Sequence, residues 1–133
     1  MVWQVELDEK SQVVVLSFDG VVTGPELIEA AEARILLGKE TGVDSYIIDA
    51  ADMVAPKSTI MDVLDIPKEV YEDNNMSRHS LLAVVKPTNP GSVWIAEFFE
   101  NASILRGWRV KSFDDRDAAL YWLQNYGERG EYS

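Results

Sequence analysis

The residue pattern predicts an α/β fold: a mixed, mostly parallel five-stranded sheet, opened by an antiparallel β-hairpin and covered by about four helices. Three observations predict it. Two β-rich runs, Trp3–Leu7 and Val13–Phe18, stand close together across a short polar turn. Each later strand-like run is followed by a segment with helical spacing. The composition, 47% hydrophobic and 26% charged, is that of an ordinary globular chain. At 133 residues one domain is expected. Residues 1–127 are read as that domain and 128–133 as a flexible tail.

The elements follow in order. In Trp3–Leu7 apolar and polar residues alternate, as in a half-buried strand. Val13–Phe18 is β-branched and continuous, as in a more buried one. Thr23-Gly24-Pro25-Glu26 has the form of a capping box, and Pro25 is tolerated in a first helical turn. Leu27, Ala31 and Ile35 then share one helical face, with Ile28 and Arg34 beside it, and Gly38 or Gly42 ends the helix. Ser45–Asp49 reads as a buried strand and Ala50–Pro56 as a loop. A short helix is expected from Ser58 or Thr59, with Asp62 as its capping partner. Pro67 should break it or begin a second piece to about Asp73. Leu81–Val85 is a buried strand. Asn89 or Ser92 should cap a helix with Ile95, Phe98, Phe99, Ala102 and Leu105 on its inner face. Trp108–Phe113 is the last strand, and Asp114 or Asp115 caps the last helix. Right-handed crossovers make the strands after the hairpin parallel.

The formal charge is −11, and all of it falls on residues 1–76, which hold sixteen acidic and five basic side chains. Such a surface repels phosphate backbones and anionic headgroups, so neither nucleic acid nor a membrane is an expected partner. No apolar run approaches the roughly 20 residues of a membrane span. Met1–Glu6 lacks the basic and apolar regions of a signal peptide, and the chain has no cysteine. A cytoplasmic location is the expectation.

The order of elements resembles the STAS domain, in particular its SpoIIAA-like branch of anti-sigma factor antagonists. The resemblance runs from Val2 to Tyr126. It rests on the opening hairpin and on the strand ending in Asp49, with a helix about nine residues later. It also rests on Arg78-His79 leading into Leu81–Val85, and on Arg106-Gly107-Trp108 leading to Phe113 and the Ala119–Leu123 helix. In those antagonists an Asp-Ser-Ser-Gly motif at a helix start carries a phosphorylated serine. The resemblance places Ser58 at that serine. Lys57 stands where the motif has Asp, Thr59 where it has the second Ser, and Ile60 where it has Gly.

Four groups of candidate residues emerge. Ser58, Thr59 and Lys57 form either a helix cap or a phosphorylation or anion site. Asp49, Asp52 and Lys86 fall at strand ends, where open α/β sheets bind ligands. Arg78, Arg106 and Arg109 precede or begin strands at the opposite edge. The segment containing Met53, Val54, Ile60, Met61 and Leu64 is apolar on more than one side and calls for covering by core, a second copy, a partner protein or an apolar ligand. His79, the chain's one histidine, has no cysteine with which to form a zinc site. With no catalytic, metal-binding or cofactor-binding constellation in view, the expected function is a non-enzymatic, STAS-like binding or regulatory module. It would work through protein contact, as a homodimer or with a partner. A carrier of a small apolar or lipid-like ligand is the alternative.

Overall fold

The computed structural model describes residues 2–129. Strands β1 (Trp3–Asp8), β2 (Val13–Val21), β3 (Ser45–Val54), β4 (Leu81–Val85) and β5 (Arg109–Phe113) form one sheet in the order β1-β2-β3-β4-β5. β1 and β2 pair antiparallel, and the other neighbours pair parallel. The helices are α1 (Gly24–Thr41), α2 (Ile60–Asp65), α3 (Tyr71–Asp73), α4 (Val93–Leu105) and α5 (Arg116–Arg129). The strands lie in space as they lie in sequence. Right-handed crossovers then put α1, α2 and α4 on the same face. Their core includes Leu16, Ile48, Val84, Ala31, Val63 and Phe99. Helix α5 covers the other face, where Trp122 and Leu123 meet Val15, Ile47 and Ala83.

The first helix forms as its sequence dictates. The Thr23 hydroxyl accepts from the Glu26 N–H, and the Glu26 carboxylate accepts from the Thr23 N–H at 2.9 Å. Gly42 ends it in the left-handed region at φ 73°. Gly38 is needed for another reason: a Cβ there would collide with the Tyr46 hydroxyl and the Val43 carbonyl. Asp115 caps α5 by accepting from the Ala118 N–H at 2.8 Å.

Several expectations are corrected. Ala50–Pro56 is not simply a loop, because β3 continues to Val54. It does so because β2 resumes beyond an irregularity at Ser17/Asp19, pairing Asp19 with Asp52 and Val21 with Val54. No side chain caps the helix that was expected at Ser58 or Thr59. The Thr59 hydroxyl donates instead to the Pro56 carbonyl at 2.7 Å, closing a 3₁₀ turn over Lys57–Thr59. The Asp62 carboxylate lies where a Cβ of Gly24 would be, against the start of α1, where the helix dipole favours negative charge. At Pro67 the second of the two expectations holds: a further helical piece begins there and runs to Asp73. Pro67 lacks the N–H for an ordinary helical bond, and the backbone widens into a π turn, Ile66–Val70, before α3. Leu105, expected on the inner face of α4, is 87% exposed, and Ser103 is buried in that helix instead. Glu128 and Arg129, read as tail, belong to α5, and the rest of that tail lies outside the described residues.

Replacing Gly38 by Ala is expected to cost about 1–3 kcal/mol in urea-unfolding measurements, the usual penalty for overpacking. Tyr46→Phe in the Gly38→Ala background should recover part of that loss, since the hydroxyl is the nearest obstacle.

Candidate functional site

The carboxyl edge of the sheet was the first candidate. The structure places Asp49 and Asp52 in one polar recess of about 270 Å³, together with Asp19, Ser17, Gln4 and Arg116. Asp49 is committed twice. One oxygen accepts from the Ala51 N–H at 3.0 Å, and the other pairs with the Arg116 guanidinium at 2.6 Å. Lys86 is not brought to these aspartates. It pairs with Asp114 at 3.0 Å. The strand order also lacks the reversal that opens a ligand crevice in doubly wound sheets. Among the described residues no three metal-ligating side chains are arranged to hold an ion.

The second candidate, Lys57–Thr59, leaves Lys57 and Ser58 exposed, while Thr59 is buried. The helix that follows has six residues, so its dipole is short. At the amino edge Arg78 stacks over the Trp108 ring at 3.9 Å. It donates to the Arg106 carbonyl and pairs with Glu72 at 2.6 Å. His79 is exposed nearby, its backbone N–H donating to the Ser77 hydroxyl.

The third candidate, Met53 to Leu64, divides in two. Met53 is 3% exposed and belongs to the core, so it contacts no partner. Val54 and Leu64 are half-buried. Ile60 and Met61 face outward, at 39% and 64% exposure. Ile60 shares a groove with two residues of α4, of which Phe98 was expected on the inner face. Trp94 and Phe98 of α4 are only half-buried, their rings 6.2 Å apart edge to face, and the Trp94 indole N–H donates to the Ala55 carbonyl at 3.4 Å. Val93 is exposed beside them. Between the helices runs a groove of about 360 Å³ lined by Lys57, Ile60, Trp94, Glu97, Phe98 and Asn101. The signal for it was the spacing of residues 93, 94 and 98, which widens the apolar stripe of α4 past what one core face needs.

One buried group was missed. Arg34 is 1% exposed. Its guanidinium lies 5.3 Å from the Tyr46 ring centroid and 5.0 Å from that of Tyr71. It donates to the Tyr71 hydroxyl and, at 3.8 Å, to the Met76 sulfur, while its Nε finds no partner. Tyr71 is locked in turn by Trp108, edge-on at 5.1 Å, and the Trp108 indole N–H donates to the Pro67 carbonyl in the π turn. The sequence signal was position: residue 34 stands seven beyond Leu27 and three beyond Ala31, on the buried stripe itself.

Burial pushes both tyrosines above the ordinary phenol range, and the nearby Arg34 charge only partly opposes this. An unfolded tyrosine ionises near pH 10.0, whereas in the folded chain both phenols remain protonated past that point. Their stabilising contribution is therefore complete below pH 10 and is lost as pH rises through the folded values. Urea midpoints should fall above about pH 10, and Tyr71→Phe should flatten that decline. At the opposite edge, Arg116→Gln is expected to cost under about 1 kcal/mol in the same assay. The Arg116 side chain is 51% exposed and its pair with Asp49 is screened.

No family model matches the chain, and no curated protein does. A solved structure does: an uncharacterised protein of the DUF3478 family from Shewanella loihica PV-4, with a SpoIIAA-like fold. The TM-score is 0.55 over 91% of both chains, at 16% sequence identity. With its antiparallel lead-in, parallel strands and helical cover, this chain has the SpoIIAA-like α/β fold.

Proposed function

We propose that this protein is a STAS-like binding and regulatory module, not an enzyme, and that it works by protein contact through the α2–α4 face. One observation carries the reading: exposed Ile60 lines a groove together with Trp94 and Phe98, and its chain neighbour Met61 and the Trp94 neighbour Val93 are exposed as well. Contiguous apolar surface rimmed by polar groups marks an interaction site. Half-buried Trp and Phe are the side chains that anchor interfaces.

The occupant we assign is a second copy of the chain. Lys57 lies on the α2 side of the groove and Glu97 on the α4 side. A two-fold axis through the groove sets Lys57 of one copy against Glu97 of the other, twice. The net charge of −11 opposes association in general, so a self-complementary pair on the apolar patch gives this face an advantage. Ser58, exposed next to Lys57, lies at the rim, where a phosphate would add negative charge to the interface.

Light scattering over a concentration series tests the dimer. The expected result is a dimer that Met61→Asp converts to monomer. Lys57→Glu or Glu97→Lys alone should weaken it, and the double exchange should restore it. A monomer at every concentration, unaffected by these substitutions, would remove the homodimer.

A further inference from the structure

The two outer strands of the sheet, β1 and β5, each have one side without a neighbouring strand among the described residues. An open edge offers a row of unpaired backbone N–H and C=O groups. Which groups these are follows from the bonds already made. The Val2 and Asp8 carbonyls accept from the Asp19 and Gln12 N–H groups, so they face inward. Backbone groups alternate along a strand, so those of Gln4 and Glu6 face β2 as well, and those of Trp3, Val5 and Leu7 face outward. The Phe113 carbonyl accepts from the Lys86 N–H, so the backbone groups of Phe113, Lys111 and Arg109 face β4. Val110 and Ser112 then carry the outward groups of β5.

The side chains of the two strands divide by face. Trp3, Val5 and Leu7 pack against the core on the side of α1, α2 and α4, and Val110 belongs to that same core. Glu6, Asp8, Arg109 and Lys111 therefore point to the opposite face, where Phe113 packs with Trp122 of α5. All four are exposed. Among the described residues none of them has an ion-pair partner, since the ion pairs there are those of Arg78, Lys86 and Arg116. The Asp8 carboxylate holds the hairpin turn with one oxygen, which accepts from the Lys10 and Ser11 N–H groups. One edge of the sheet is thus acidic and the other basic, on the same face. Charges on edge strands commonly keep sheets from pairing. Here they do so between like edges, because β1 against β1 opposes acids and β5 against β5 opposes bases. A β5 edge against a β1 edge brings opposite charges together.

We propose that β5 of one copy takes β1 of a second copy as the next, antiparallel strand of its sheet. The alternation of the two edges selects this geometry. In a parallel pairing the residue opposite Val110 would be Gln4, Glu6 or Asp8, and the acidic side chains would fall on the face away from Arg109 and Lys111. In an antiparallel pairing the outward residues meet directly, Val110 with Leu7 of the second copy and Ser112 with its Val5, and exchange backbone hydrogen bonds. That register sets Lys111 opposite Glu6 and Arg109 opposite Asp8, within reach of cross-strand pairing. A slip of two residues one way puts Lys111 opposite Gln4, and a slip the other way puts Arg109 against Lys10. Since β1 already runs antiparallel to its neighbour, the second copy stands in the same orientation as the first and continues its sheet. Each copy keeps one free edge of each kind, so the contact is head-to-tail and builds a row. The pairing is small and opposed by the net charge of −11, so it is transient and forms at roughly millimolar protein. It is separate from the α2–α4 groove and does not depend on it.

The test is amide hydrogen exchange, read by NMR on the full chain at micromolar and at millimolar protein. Met61→Asp is present throughout, so that the groove does not contribute. The outward amides of Val5, Leu7, Val110 and Ser112 should exchange about twofold slower or more at the higher concentration. The amides of Glu6 and Lys111, already bonded within the sheet, should not change. Glu6→Lys alone and Lys111→Glu alone should each abolish the slowing. An equimolar mixture of these two variants should restore it, and so should one chain carrying both substitutions. Glu6→Lys also lowers the net negative charge, so association governed by general repulsion would grow in that variant, not vanish. The proposal is overturned if exchange at the four outward amides is independent of concentration. It is overturned equally if Glu6→Lys alone strengthens the slowing, or if the mixture fails to restore it.

Discussion

The sheet takes its strands in the order in which the chain makes them, and much else depends on that constraint. A right-handed crossover between neighbouring parallel strands can put its helix on only one face. Three successive crossovers in one direction therefore pile α1, the α2–α3 segment and α4 onto the same side. The strand order never reverses, so there is no switch point at its carboxyl edge. What would be the ligand edge in a doubly wound protein is here a polar recess with Asp19, Asp49 and Asp52, in which Asp49 is held by Arg116.

The chemistry of the chain moves to the crowded face as a result. The α2–α3 segment is irregular: it changes helical type at Pro67 and never forms a long helix. Its inner side closes the core with Val63, Ile66 and Tyr71. Its outer side leaves Ile60 and Met61 in solvent, Ile60 in the groove with Trp94 and Phe98. The same segment thus packs the core on one side and makes one wall of the surface groove on the other.

Arg34 joins these layers. Its aliphatic stem belongs to the core stripe of α1, while its head is clamped by a tyrosine from β3 and another from α3. Trp108 holds the second tyrosine and also the π turn. A cation at this junction ties α1, β3, α3, the π turn and the turn before β5 into one unit.

Much of the fold was legible in the residues because it rests on local rules. The Thr23–Glu26 capping box, the hairpin, the apolar stripe of α1 and the Asp115 cap each depend on side chains a few positions apart. The SpoIIAA-like order followed from strand and helix alternation. What the sequence could not decide was set by contacts across the chain. Ala50–Val54 looked like a loop because its strand signal is weak, and it became a strand because β2 stood ready to pair with it. Met53 and Met61 are alike in sequence and opposite in burial, since Met53 lies on β3 paired with β2 and Met61 on the outer side of α2. Arg34 read as the flank of a helix until two tyrosines, 12 and 37 residues further on, closed over it. Local propensity determined the elements. Which of their side chains became core, groove or buried charge was decided only when the sheet had put distant residues face to face.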